Sequence, residues 1–129
     1  ITHDLSIIVE TCDKVSIMYA GKIVEIGDVV SIFTNPIHPY TKGLIEAMPS
    51  IEKGKSKTLF AIPGDPPNLL DPPSGCRFHP RCPYSQERCV KEEPKLMEMG
   101  REYYVACHFV DEIRDLSALE LWKDWGKTM

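Results

Sequence analysis

The residues best suited to chemistry are the cysteines, four of which are clustered. Cys76, Cys82, Cys89 and Cys107 follow the pattern Cys-x5-Cys-x6-Cys-x17-Cys, and Cys12 lies far from them. An odd total argues against the disulfide framework of a small secreted protein, which normally pairs every thiol. In an intracellular protein, four clustered cysteines are typical of a metal or cluster site. The spacing is loose for zinc ribbons, which use closely spaced pairs, so zinc, disulfides and free thiols all remain open.

Three positively charged side chains, Arg77, Arg81 and His108, flank the cysteines. They either offset the negative charge of a thiolate-bound group or are solvated surface groups. His79 and His108 are further candidate ligands, but four cysteines already make a complete ligand set.

The segment Gly54-Lys55-Ser56 has the end of a phosphate-binding loop but lacks its beginning. That loop has the form Gly-x-x-x-x-Gly-Lys-Ser/Thr and follows a strand. Pro49 occupies the position of the first glycine, and the preceding residues end a helix. We therefore do not expect a nucleotide site here.

Residues 1–48, which precede the cysteines, have the pattern of regular α/β structure. Asp4 can cap a first helix, and residues 15–19 and 22–26 form a predicted hairpin around Ala20-Gly21. Asp28 can cap a short helix that stops before Pro36, and residues 41–48 form another. The predicted inward positions are Leu5, Ile8, Val9 and Cys12 in the first helix and Leu44, Ile45 and Met48 in the last. Cys12 is therefore interpreted as a core residue.

Residues 49–110 carry most of the prolines and four of the cysteines, and they are expected to run extended or in turns. Such a segment needs a cross-link or a host surface. Residues 111–129 are predicted to form a terminal helix, because Ser117 and Glu120 have the spacing of a capping box. One face of that helix would carry Ala118, Leu121, Trp122 and Trp125.

Composition excludes several classes of function. The net charge is −4 and no stretch has a basic face, which argues against nucleic acid as a partner. No apolar run approaches the length of a membrane span. The first residues, Ile1-Thr2-His3-Asp4, have neither an initiator methionine nor a signal peptide. We therefore expect a piece of a longer protein, with a mature N-terminus left by processing as the alternative.

The beginning of the chain resembles the switch region of ABC-transporter ATPases. In that family a strand is followed by Thr-His-Asp, a helix and a hairpin, and Thr2-His3-Asp4 precede such a helix and hairpin here. The resemblance implies that His3 is catalytic: it would bond the γ-phosphate of ATP and help to order the attacking water. The family's phosphate loop, signature sequence and catalytic glutamate would precede Ile1. We therefore expect no ATPase activity from this chain alone, with ATP and magnesium bound only by its longer parent.

Four further segments resemble the C-terminal extension of ATPase subunits from oligopeptide and dipeptide transporters. They are residues 35–44 (NPIHPYTKGL), 62–69 (IPGDPPNL), 75–83 (GCRFHPRCP) and 105–108 (VACH). Some members of that family hold a four-iron four-sulfur cluster, for which four thiolates are suitable ligands. The resemblance thus implies a cluster on Cys76, Cys82, Cys89 and Cys107, with zinc as the alternative. An oxygen-sensitive cluster can be lost during purification in air.

The resemblance spans residues 1–109 and implies three parts. Residues 1–48 would be an α/β fragment, the end of an ABC ATPase domain. An irregular, proline-rich, cysteine-stapled extension would follow at 49–110, and then the terminal helix at 111–129. Cut from its sheet neighbours, the fragment would expose apolar helix and strand residues and would dimerise or swap elements to cover them. These residues are Leu5, Ile8, Val9, Ile17, Ile23 and Val24.

The parent would energise peptide import as a peripheral subunit at the cytoplasmic face of the membrane. Its partners would be a second ATP-binding subunit and the membrane permease subunits. Two alternatives come from other classes of function: a metal- or redox-sensing module that regulates transport, and a purely structural interaction domain.

Overall fold

The computed structural model describes residues 13–47 and 61–123. Several sequence predictions concern residues outside this part: the helix after Asp4 with Leu5, Ile8, Val9 and Cys12, and also His3, Met48, Gly54-Lys55-Ser56 and Trp125. In the described part, no helix is both long and apolar enough to cross a membrane.

A four-stranded antiparallel sheet organises the described residues. Its strands are β1 (Lys14–Tyr19), β2 (Lys22–Asp28), β3 (Met97–Gly100) and β4 (Tyr103–Val105), in the order β1-β2-β4-β3. Ala20 and Gly21 connect β1 to β2 with φ angles of 51° and 81°. Positive φ at both positions is what a two-residue hairpin turn of type I′ requires. The predicted first hairpin is therefore confirmed, with both strands slightly longer than expected.

The second hairpin corrects the expectation of an irregular extension. Strands β3 and β4 both lie within residues 49–110, and β4 pairs with β2 through Glu25–Val105 and Ile26–Tyr104. Their turn places Arg101 and Glu102 at φ angles of 49° and 61°. The sheet thus joins strands from both sides of residue 48. Residues 61–75 nevertheless contain neither helix nor strand, as their prolines predict.

Short helices flank the sheet: α1 (Val29–Thr34), α2 (Pro39–Glu46), a 3-10 turn (His79–Arg81), α3 (Glu87–Lys91), α4 (Val110–Ile113) and α5 (Ala118–Leu121). Asp28 caps α1 by accepting a hydrogen bond from Ser31 N–H at 3.0 Å, and α1 ends before Pro36 as predicted. Ser117 and Glu120 form the predicted capping box of α5, although that helix has a single turn.

Helix α2 begins two residues before its predicted start, because His38 caps it and Pro39 occupies its first turn. Its predicted inward face is only partly right. Leu44 is half-buried and packs against the core as predicted, but the fully buried positions are Pro39, Thr41, Lys42 and Gly43.

The core joins the sheet to the extension through aromatic contacts around Phe78, which is 1% exposed. Its ring meets those of Tyr19 at 5.0 Å, Tyr40 at 5.5 Å and Trp122 at 6.3 Å. Trp122 is buried, as its helical position predicted.

The strand residues expected to face water are mostly covered. Ile17 and Val24 are buried and only Ile23 is exposed, because the extension packs against this sheet. The prediction that these residues drive self-association thus loses part of its basis.

Candidate functional site

The four clustered cysteines come from four different local structures. Cys76 precedes the 3-10 turn, Cys82 ends it, Cys89 lies in α3 and Cys107 follows β4. All four line one cavity of about 20 Å³, which the rings of His38, Phe78 and Phe109 also border. The four thiols are free, so disulfide stapling of the extension is not confirmed.

Backbone contacts hold the first of these cysteines against α3. Cys76 N–H donates to the Cys89 carbonyl at 2.7 Å, and Ser74 Oγ donates to the Val90 carbonyl at 2.8 Å. Gly75 allows this approach: its φ is +62°, and a Cβ there would lie 2.3 Å from the Cys89 carbonyl oxygen. The chain therefore needs glycine directly before Cys76.

Burial disfavours the thiolate form of Cys76, Cys82 and Cys107. It raises the pKa of Cys76 and Cys82, and that of Cys107 to about 12, although backbone N–H groups near the sulfurs oppose the shift. Each of these pKa values is also raised by neighbouring cysteines, which are therefore within electrostatic reach of one another. Because a metal binds thiolates, it would displace protons here, and its apparent affinity would rise with pH.

The four thiols fit a thiolate-bound group in number and chemistry. Within residues 13–47 and 61–123, no three His, Cys, Asp or Glu side chains form a group that could hold a metal ion. The cavity has room for about one water molecule.

The flanking arginines have partners that the sequence did not predict. Arg81 donates to the carbonyls of Pro63 at 3.0 Å and Ile62 at 3.1 Å. Arg77 donates to the carbonyl of Ala20 in the first hairpin turn. Neither arginine is merely a solvated surface charge, and both tie the residues between Cys76 and Cys82 to other segments.

The two flanking histidines also bond to the backbone. His79 Nδ1 lies 2.8 Å from the Cys76 carbonyl oxygen, and His108 Nε2 lies 2.7 Å from that of Glu92. Both side chains border the thiol cavity.

A second polar centre, which sequence reasoning missed, surrounds Glu25. This residue of β2 is fully buried, and its carboxylate accepts hydrogen bonds from Ile37 N–H at 3.0 Å and His38 N–H at 2.8 Å. The Tyr103 hydroxyl donates to it as well. Burial raises the pKa of Glu25, although these three donors act in the opposite direction. The signal in the sequence is an acidic residue in the middle of β2, directly between the apolar residues Val24 and Ile26.

His38 links the two centres. Its backbone N–H donates to Glu25, and the same residue lines the thiol cavity. Its Nδ1 accepts the Tyr40 N–H at 3.0 Å, so the ring proton of the neutral form is on Nε2. Burial lowers the pKa of His38 to about 3.

Comparison with known proteins places the chain among transporter subunits. The family model described as "Oligopeptide/dipeptide transporter, C-terminal region" matches residues 24–89. The dipeptide transport ATP-binding protein DppD of Caldanaerobacter subterraneus is 50% identical over 116 residues, which cover 90% of this chain and 35% of that protein.

Two proteins of Escherichia coli are similar as well. DppD is 43% identical over 84% of this chain and 33% of its own length. The oligopeptide transport ATP-binding protein OppD is 47% identical over 73% of this chain and 28% of its own length. The chain thus spans about a third of the length of these curated relatives.

Proposed function

Since the chain belongs to the family of the C-terminal region of oligopeptide/dipeptide transporters, we propose that it forms the C-terminal part of the ATP-binding subunit of a peptide importer. The match over residues 24–89 carries this proposal. In the longer protein, ATP and magnesium would bind to segments that precede Ile1. That protein would work with a second ATP-binding subunit and with permease subunits, as a peripheral protein at the cytoplasmic face of the membrane.

His3 is the proposed catalytic residue of this chain, because Thr2-His3-Asp4 precede the first hairpin, which begins at Lys14, in the order that the switch region of ABC-transporter ATPases has. In the longer protein, His3→Ala should lower ATP turnover by about a hundredfold, since one group that positions the γ-phosphate and the water is lost. ATP binding should persist. His79→Ala is the control and should leave turnover near the wild-type rate. Equal turnover in the two variants would contradict the role of His3.

The second element of the proposal is a metal centre on Cys76, Cys82, Cys89 and Cys107. Its support is the convergence of four free thiols on one buried cavity. A four-iron four-sulfur cluster is the preferred occupant and zinc the alternative, because both accept four thiolates. Such a group would cross-link loops that prolines leave without regular structure, and an iron-sulfur cluster could also exchange an electron.

Anaerobic reconstitution with iron and sulfide tests the metal centre. Bound iron and sulfide and the visible absorption of the cluster are measured in the wild type and in Cys82→Ser. The matched control is Cys12→Ser, which removes the one cysteine outside the cluster. We expect iron loss in Cys82→Ser alone. Binding of zinc but not iron would support the alternative, and binding of neither would refute the centre.

A second candidate function, regulation of transport by metal or redox state, is favoured by one observation. The residues between Cys76 and Cys82 contact the first hairpin through Arg77. If the cluster forms but its loss leaves peptide uptake unchanged, a purely structural role of the extension is the better explanation.

A further inference from the structure

Two adjacent leucines form an apolar protrusion in the proline-rich part of the extension. Leu69 is 70% exposed and Leu70 is 96% exposed. They are the central residues of a turn, which Asp71 N–H closes by donating to the Asn68 carbonyl at 3.2 Å. The Asn68 side chain braces the same turn, because its Oδ1 accepts the Leu70 N–H at 2.9 Å. We call residues 68–71 the leucine turn.

The flanks of the leucine turn restrict its conformation. Proline pairs occupy positions 66–67 and 72–73 on either side of it. Their fixed φ angles lower the conformational entropy that docking of the turn would cost. After the second pair, Ser74 Oγ donates to the Val90 carbonyl at 2.8 Å and ties the segment to α3. Single exposed leucines are common on soluble proteins, whereas adjacent ones on a braced turn indicate a contact surface.

A surface groove of about 480 Å³ lies beside the first hairpin, and most of its lining is apolar. Met18, Ile23 and Leu96 are among the lining residues and are 53%, 37% and 40% exposed. Pockets that hold ligands have volumes of about 300–1,000 Å³. The groove is therefore large enough to receive leucine side chains.

The groove carries a positive charge. In the described part of the chain, its charged lining residues are Lys22, Arg77, Lys95 and Glu93, which sum to +2. Lys22 pairs with Glu93 at 3.3 Å. Neither Arg77 nor Lys95 forms an ion pair with any carboxylate of the described residues. These two cations remain available to an acidic partner.

The segment around the leucine turn carries the opposite charge. Residues 64–73 contain Asp65 and Asp71 and no basic residue, so their charge is −2. Both aspartates are exposed. An apolar groove with free cations thus matches an apolar turn between two carboxylates in both of the properties that determine docking.

The leucine turn and the groove are also close along the chain. Cys76, which lines the groove, follows Asp71 by five positions, and an extended chain of that length spans at most about 18 Å. Because Leu69 and Leu70 are exposed, the turn does not occupy the groove of its own copy. Across a two-fold axis, each turn can enter the groove of the other copy, and both contacts then belong to one interface.

We propose that two copies of this chain form a two-fold dimer in which the leucine turn of each copy occupies the groove of the other. The leucines fill the apolar groove, and Asp65 and Asp71 approach Arg77 and Lys95. Such an interface is small, so the expected dissociation constant is about 1–100 µM. The dimer depends neither on the proposed metal centre nor on ATP hydrolysis.

Analytical ultracentrifugation of the metal-free chain, at concentrations that bracket this dissociation constant, tests the dimer. The double variant Leu69→Ser/Leu70→Ser should raise the dissociation constant at least about tenfold. Val30→Ser/Leu119→Ser is the matched control, since these residues are 66% and 58% exposed and lie on α1 and α5, outside both surfaces. The control should associate like the wild type. All four side chains are exposed, so both variants should keep the wild-type melting temperature.

A charge exchange identifies the two surfaces that meet. Asp71→Lys and Lys95→Glu should each raise the dissociation constant about fivefold, because each brings like charges together. An equimolar mixture of the two variants should associate about as well as the wild type. In the mixed dimer, each leucine turn meets a groove of opposite charge.

Each contrary result overturns a defined part of the proposal. A wild-type chain that stays monomeric at every concentration would refute the dimer, and the groove would then take a partner of another kind. A dimer that survives the leucine substitutions would be formed by another surface. Lack of recovery in the mixture of charge variants would refute the reciprocal exchange. None of these results bears on the proposed metal centre or on His3.

Discussion

His38 contacts the Glu25 carboxylate and also lines the cavity of the four thiols. These two centres differ in whether other residues of the chain supply the partners that their polar atoms need. The Glu25 carboxylate receives two backbone N–H groups and the Tyr103 hydroxyl. The thiols share a cavity without disulfides, and in the described residues they form no group that could hold a metal. The fold itself satisfies the Glu25 carboxylate. The four thiols, of which only Cys89 is fully buried, have no comparable set of partners among the described residues.

The difference follows from the free-energy cost of burying each group without a hydrogen-bond partner. A buried carboxylate without donors is strongly destabilising, so the fold must supply them. A neutral thiol behaves as a small apolar group and packs without a partner. The chain can therefore keep four thiols ready for an occupant at little cost to stability, which it could not do with four carboxylates.

The largest loss of stability is expected when the Glu25 carboxylate is removed. Glu25→Ala leaves Ile37 N–H and His38 N–H without acceptors and should lower the free energy of unfolding by about 4 kcal/mol. Urea unfolding measures this loss. Glu87→Ala is the control, since Glu87 is an exposed partner of Lys91 on α3, and its loss should be below about 0.5 kcal/mol. Similar losses in both variants would contradict a structural role for Glu25.

A somewhat smaller effect is expected from the backbone that supports the thiols. Gly75→Ala combines a strained φ of +62° with a contact of 2.3 Å to the Cys89 carbonyl oxygen. Gly100→Ala has a φ of +107° but no atom within 4 Å of the new Cβ. Both substitutions strain the backbone, but only Gly75→Ala adds a clash. Gly75→Ala should therefore lower the free energy of unfolding by about 2 kcal/mol more than Gly100→Ala does. The two variants should also differ in reactivity toward a thiol reagent, and equal values would contradict the tight packing of the loop.

His38, which lies between the two centres, should make the free energy of unfolding depend on pH. Because burial lowers the pKa of His38 to about 3, the unfolded chain binds a proton below pH ~6.5 that the folded chain does not. The free energy of unfolding therefore falls as the pH falls through this window. His38→Asn can still cap α2 but does not titrate. Between pH 7 and 5, the wild type should lose about 2 kcal/mol more than the variant.

Since Glu25 titrates in both proteins, it largely cancels from this difference. Measurements at pH 8, where the imidazole is neutral in both states, provide the baseline. Parallel pH profiles for the two proteins would show that His38 is not buried as described.

The sequence predicted elements that local patterns determine. The first hairpin follows from two apolar strand patterns around Ala20-Gly21, and the helix starts follow from the side chains of Asp28 and Ser117. The hairpin of β3 and β4 escaped prediction because its strands are short and charged residues, Arg101 and Glu102, occupy its turn with positive φ.

Contacts between distant segments could not be predicted in this way. The bonds of Glu25 to Ile37 and of Arg81 to Ile62 depend on how the segments pack, which no local pattern encodes. The four cysteines could be grouped from their spacing alone, and they do line one cavity. Their occupant and the role of His3 stay predictions.

The smallest effect is expected when one thiol is removed from the reduced, metal-free protein. The Cys107 sulfur is half-buried and accepts one long hydrogen bond, from Phe109 N–H at 3.5 Å. Cys107→Ala should therefore lower the free energy of unfolding by about 1 kcal/mol or less, against several for Glu25→Ala. After metal loading, the same substitution should cost more, because the wild type then gains the binding energy of the metal and the variant gains less. A large loss of stability in the metal-free Cys107→Ala variant would show that the thiols stabilise the fold without a metal. The contrast with Glu25 would then disappear.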